Sequence, residues 1–95
     1  MRLTTDHVNA IRQEIRQADP AAEIYLHGSR ADDTAKGGDI DLLVVSDCFD
    51  FRDLLRLRRR ILDRIGWQQL DLMVRRQNQT HEPLAAWARE TGIKL

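Results

Sequence analysis

The chain has 95 residues, 42% of them hydrophobic and 32% charged, and its 15 basic side chains balance 15 acidic ones. That profile excludes a disordered chain and a global field that would draw in nucleic acid, and 1–95 is expected to be a single domain with a modest core. No apolar run approaches a membrane span, the first residues lack a signal-peptide core and Cys48 is the one cysteine, so a cytoplasmic protein without a disulfide framework is expected.

Residues 4 to 18 are predicted as a helix. Val8, Ile11, Ile15 and Ala18 recur at helical spacing, Thr4 or Thr5 can cap the start, and Asp19-Pro20 ends it. Its polar outer face (Arg12, Gln13, Arg16, Gln17) implies that it covers one face of a sheet. Glu23 to His27 follows as a strand, with Ile24 and Leu26 to one side and Tyr25 and His27 to the other. Ser29 to Asp33 is read as a short helical turn and Thr34 to Gly38 as a loop, with Gly37-Gly38 as turn chemistry. Asp39 to Val45 is the second strand. Cys48 has no His or second Cys nearby in sequence and is assigned no chemistry.

Residues 50 to 65 form the longest predicted helix, with Phe51, Leu54, Leu55, Leu57, Ile61, Leu62 and Ile65 as a broad apolar stripe and Gly66 as its stop. Arg52, Arg56, Arg58, Arg59, Arg60 and Arg64 crowd the same segment. No aromatic residues interleave with them for base stacking, so direct nucleic-acid binding is not expected. A solvated face, or a docking face for an acidic partner, is. Trp67 to Val74 is the third strand, with Leu70, Leu72 and Val74 sharing a face and Asp71 and Met73 on the other. Thr80 to Thr91 is the last helix, with Pro83 in its first turn and a stripe of Leu84, Ala85, Trp87 and Ala88. Trp87 is assigned to the core or to a partner interface. The order predicts a small α/β (α+β) fold, a mixed β-sheet with helices packed over it.

The chemistry concentrates between residues 24 and 45. Asp39 and Asp41 point to the same side of their strand, about 6.6 Å apart along it, while Ile40, Leu42 and Val44 point to the other. Two unpaired carboxylates beside such an apolar run repel each other and are poorly solvated, so a cation is expected between them. Gly28-Ser29 supplies the complement: a residue without Cβ, a hydroxyl and free N–H groups at a helix start, which suit phosphate. Arg30 is read either as a phosphate ligand or as a surface ion pair with Asp32 or Asp33, and Lys36 is a weaker phosphate candidate. A phosphate cradle beside metal-binding acids is the chemistry of nucleotidyl transfer.

Gly28-Ser29, nine intervening residues and Asp39-Ile40-Asp41 resemble the signature of the DNA polymerase β-like nucleotidyltransferase superfamily. The wording Gly-Ser-Arg-Ala-Asp-Asp…Gly-Gly-Asp-Ile-Asp-Leu-Leu-Val is close to its minimal nucleotidyltransferases, small proteins often paired with a HEPN-type helical partner as antitoxin and toxin. The resemblance implies the polymerase β-like nucleotidyltransferase fold and an ATP-dependent transfer of AMP with two Mg²⁺ ions. By it Asp39, Asp41 and Asp71 are catalytic metal ligands, and Gly28, Ser29 and Arg30 bind the nucleotide phosphates. The alternative for Asp71 is an edge-strand acid facing water. The family often places an aromatic where His27 stands, so His27 is assigned to packing or to support of a neighbouring group. Larger relatives add a domain for the acceptor. Here the acceptor is expected on another chain or at a dimer interface, with a tyrosine hydroxyl of a HEPN-type toxin as the best fit. The rival readings are a non-catalytic module that neutralises its partner by contact and a small-molecule nucleotidyltransferase of the aminoglycoside type.

Overall fold

The computed structural model describes residues 3–28 and 39–95. These form α1 (Thr5–Ala18), β1 (Glu23–His27), β2 (Ile40–Val45), α2 (Phe51–Ile65), β3 (Leu70–Arg75), a 3-10 turn at Gln77–Gln79, α3 (Pro83–Thr91) and β4 (Ile93–Lys94). The strands make one mixed sheet in the order β3-β2-β1-β4. β1 runs antiparallel to both β2 and β4, and β2 runs parallel to β3, with α2 carrying the chain between them. The small α+β architecture predicted from the sequence is the one observed.

Local chemistry explains the helix ends. The Thr4 hydroxyl accepts from the His7 amide at 3.1 Å and starts α1. Asp50 and Asp53 cap α2 reciprocally: the Asp53 amide donates to Asp50 Oδ1 at 2.8 Å and the Asp50 amide to Asp53 Oδ2 at 3.2 Å. The alternation of the strands then sorts the core into two layers. Ile24, Leu26, Ile40, Leu42, Val44 and Leu70 pack under Ile11 and Ile15 of α1 and Leu57, Ile61 and Ile65 of α2. On the other face, among the described residues, Tyr25, Leu43 and Val45 form a smaller apolar cluster with Ala85 and Ala88 of α3, with Met73 alongside. The first layer is deep and the second shallow. Each fully buried Ile or Leu contributes about 1.5–3 kcal/mol through the hydrophobic effect, so stability rests on the α1–α2 side.

Several boundaries differ from the sequence reading. α1 leaves Ala18 exposed and buries Glu14, which takes Arg60 and Arg64 of α2 at 3.7 and 3.6 Å. β2 starts at Ile40 rather than Asp39. β3 begins at Leu70, not Trp67, because Gly66 at φ 85° turns the chain out of α2 and leaves Trp67 exposed to solvent. α3 starts at Pro83, not Thr80: proline suits the first helical position and disfavours helical geometry in the residue before it, and Glu82 is extended. β4 was not anticipated. Gly92 permits it, since a Cβ there would run into the Ala88 carbonyl oxygen and stand 2.9 Å from that of Leu26. With that close approach the terminal residues pair with β1, and the Leu95 amide donates to Ile24 O at 2.9 Å. The predicted turn at Ser29–Asp33 and the loop at Thr34–Gly38 lie outside the described residues.

Candidate active site

The parallel register of β2 and β3 sets Asp41 directly beside Asp71, and the antiparallel register of β1 sets His27 beside Asp41. All three side chains belong to the α3 face of the sheet, since their neighbours two residues away, Tyr25, Leu43 and Met73, pack on that side. α3 covers Tyr25, Leu43 and Val45 and stops short of the acids. Among the described residues, the titratable groups gather at the end of this face that α3 leaves open.

Asp41 is half-buried, whereas Asp71 and Asp39 are exposed. Burial, the Asp71 carboxyl within hydrogen-bond reach, and the charges of Asp71 and Asp39 push the Asp41 carboxyl up to about 6. Two acids so placed share a proton when nothing positive separates them. Among the described residues no Lys or Arg ion pair reaches Asp39, Asp41 or Asp71. The described residues also hold no ready-made group of three or more His, Cys, Asp or Glu side chains arranged around a metal. Asp39 contributes charge from the residue before β2 and does not close the pair into a triad.

Gly28, the first residue after β1, has φ 74° and lies against Asp41 so closely that a Cβ would collide with the carboxylate Oδ2. Its role is thus double: it adopts a left-handed conformation that other residues resist, and it leaves the acid its room. Ser29 and Arg30, the other expected phosphate ligands, and Lys36 lie outside the described residues.

The structure adds two side chains to this end of the sheet. The His27 ring meets Trp87 edge-on, with centroids 5.9 Å apart and planes at 85°. Burial pushes the His27 imidazole below its ordinary value, against the opposing pull of the Asp71 carboxylate. A neutral imidazole next to acids fits support better than charge pairing, in line with the sequence reading. Trp87 is 50% exposed and so is not core, and its indole packs edge-on against His27 instead. It is held there by α3, which is tied to the sheet near both ends. Arg75 donates to Glu82 at 2.9 Å, and Arg89 donates to Glu23 at 3.1 Å, where the Tyr25 hydroxyl also donates at 2.5 Å. The sequence carried no signal for this contact, because His27 and Trp87 are brought together only by α3 crossing β1.

A family model for the nucleotidyltransferase domain matches residues 8–87. The chain belongs to that family. A search of curated proteins found no match. The matched span of the nucleotidyltransferase domain runs from α1 to Trp87 and takes in Gly28, all three acids and His27. Its reaction class is nucleotidyl transfer. The carboxyl pair suits that chemistry: a divalent cation between Asp41 and Asp71 would let both ionise at neutral pH, and carboxylates completed by substrate phosphates are a common Mg²⁺ donor set.

Proposed function

We propose that this nucleotidyltransferase moves AMP from ATP to a hydroxyl, with tyrosine the best fit, on a HEPN-type partner, and so acts as the antitoxin of a toxin–antitoxin pair. The observation that carries the reaction is the Asp41–Asp71 carboxyl pair, with Gly28 clearing space beside it. The minimal-nucleotidyltransferase wording of residues 28–45 carries the choice of partner.

In this reading Asp39, Asp41 and Asp71 hold Mg²⁺, which when bound supplies charge neutralisation and Lewis acidity for in-line displacement at the α-phosphorus. Gly28 and Ser29 seat the outer phosphates, with Arg30 as a further phosphate ligand. Asp71 is exposed and so accessible to an incoming acceptor. It accepts the acceptor hydroxyl's proton as the oxygen bonds the α-phosphorus and pyrophosphate leaves with the bonding electrons. His27 stays neutral and orients its neighbours, and Trp87 offers an aromatic wall on the acceptor side.

Co-expression with the neighbouring gene product, then incubation with ATP and Mg²⁺ and intact-mass analysis, tests the reading. Added AMP mass on the partner supports it, and Asp71→Asn should remove that mass while the complex persists. A stable complex without added mass would replace it with neutralisation by contact. Efficient transfer to a small hydroxyl compound without any complex would replace it with a small-molecule enzyme.

A further inference from the structure

The outward flank of α2 carries an apolar stripe that nucleotidyl transfer does not use. Phe51, Leu55 and Leu62 fall on one line of the helix, and Trp67 continues it beyond Gly66. Phe51, Leu55 and Trp67 are 72%, 53% and 83% exposed. A groove of about 450 Å³ opens among Leu55, Leu62 and Trp67, bordered by Arg58, Arg59 and Asp63. From Phe51 to Leu62 the stripe runs about 16 Å, close to three helical turns.

The charges beside it are one-sided. Arg60 and Arg64 turn away to Glu14 of α1, and Arg58 donates to Leu70 O at 3.2 Å. Arg52 and Arg59 remain exposed along the solvent border, where Asp63 pairs loosely with Arg59 at 3.7 Å, while Arg56 lies on the α1 flank near Asp53. Position matters as well. α2 returns the chain between parallel strands, so its C-terminal end, with Leu62 and Trp67, lies at the same end of the sheet as Asp41 and Asp71 but on the opposite face.

We infer that this flank docks one amphipathic helix of an acidic protein partner. Aliphatic residues at i, i+4, i+7 and i+11 of that helix fill the groove, and its Asp and Glu face Arg52 and Arg59. A second copy of this chain fits badly, because two-fold pairing sets those arginines against their own counterparts. Nucleic acid would leave Leu55 and Leu62 unburied. The inference rests on the reading above only for the partner's role as acceptor; docking itself needs neither metal nor nucleotide.

The test is fluorescence anisotropy with the full chain in EDTA. The probe is a labelled helical peptide of about 18 residues, ~27 Å long, with Leu at those positions and Glu on the flanks. Controls are the same composition in scrambled order, Lys in place of Glu, and labelled oligothymidylate. The acidic amphipathic peptide should bind best and lose affinity as salt rises. Leu55→Asp and Trp67→Ala should each weaken it roughly tenfold, and Arg52→Glu with Arg59→Glu should flatten the salt dependence. These side chains are exposed, and circular dichroism checks that the variants fold. Equal binding of the scrambled or Lys peptide, tighter binding of oligothymidylate, or no peptide binding would overturn the inference. So would self-association dissolved by Trp67→Ala. Loss of AMP transfer with peptide binding intact would count against the reaction alone.

Discussion

Replacing Gly28 with alanine probes the site through its most constrained contact. At φ 74° a residue with a Cβ pays about 1–2 kcal/mol for left-handed backbone. The new Cβ would also overlap Asp41 Oδ2, so the carboxylate must leave its rotamer, at about 0.5–1.5 kcal/mol more. The usual entropic gain of Gly→Ala does not compensate, because it requires a compatible native conformation. Gly28→Ala should therefore lose about 2–3 kcal/mol, lowering Tm by roughly 8–24 °C in a domain of this size. Urea denaturation of Gly28→Ala, Asp41→Ala and the double variant closes a cycle. With the carboxylate gone the clash disappears, and the double variant should lose about 0.5–1.5 kcal/mol less than the sum of the singles. The backbone part should remain. Strict additivity, or a neutral Gly28→Ala, would refute the close approach of Gly28 to Asp41.

Asp41→Asn should stabilise the metal-free protein at pH 8 by about 1–2 kcal/mol after allowance for solvent screening. The folded carboxyl is raised to about 6, so folding favours its protonated form and wild-type stability falls as pH rises from about 4 to that value. Denaturation at pH 8 and below pH 4 checks this, since the gap between variant and wild type should close in acid. Ser46→Ala should cost about 1–3 kcal/mol at neutral pH, because Ser46 Oγ donates to the buried Asp19 carboxylate at 2.5 Å and holds its pKa below the usual range. That contribution is present above about pH 4 and lost as pH falls through the folded value, so a gap that persists undiminished in strong acid would contradict it. Trp87→Ala should cost only about 1 kcal/mol of stability yet lower transfer roughly tenfold with ATP binding retained, measured by calorimetry and intact mass. Unchanged transfer would remove Trp87 from the acceptor side.

The sequence alone determined what depends on local periodicity. Alternation placed Ile24, Leu26, Ile40, Leu42 and Val44 on one face and Asp41 and Asp71 on the other, and the turn residues between them marked a nucleotidyl-transfer site. Helical periodicity with the Thr4 start and the Gly66 stop located α1 and α2 to within a residue or so. Tertiary structure decided everything that joins distant segments. The Asp41–Asp71 pair exists because β2 and β3 run parallel in that register, and a shift of one residue would separate the acids. Two-residue β4 has no propensity signal and forms only because Gly92 lets the chain end approach β1. The arginine cluster of α2 looked like one face in sequence. It divides because α1 offers Glu14 to Arg60 and Arg64, and β3 offers the Leu70 carbonyl to Arg58. Phe51 and Leu55 are apolar residues that a helical pattern assigns to a core, but the core against α1 and the sheet is filled by Leu57, Ile61 and Ile65 on the neighbouring flank of the helix. Burial is a property of what stands opposite a side chain, and only the assembled layers supply that.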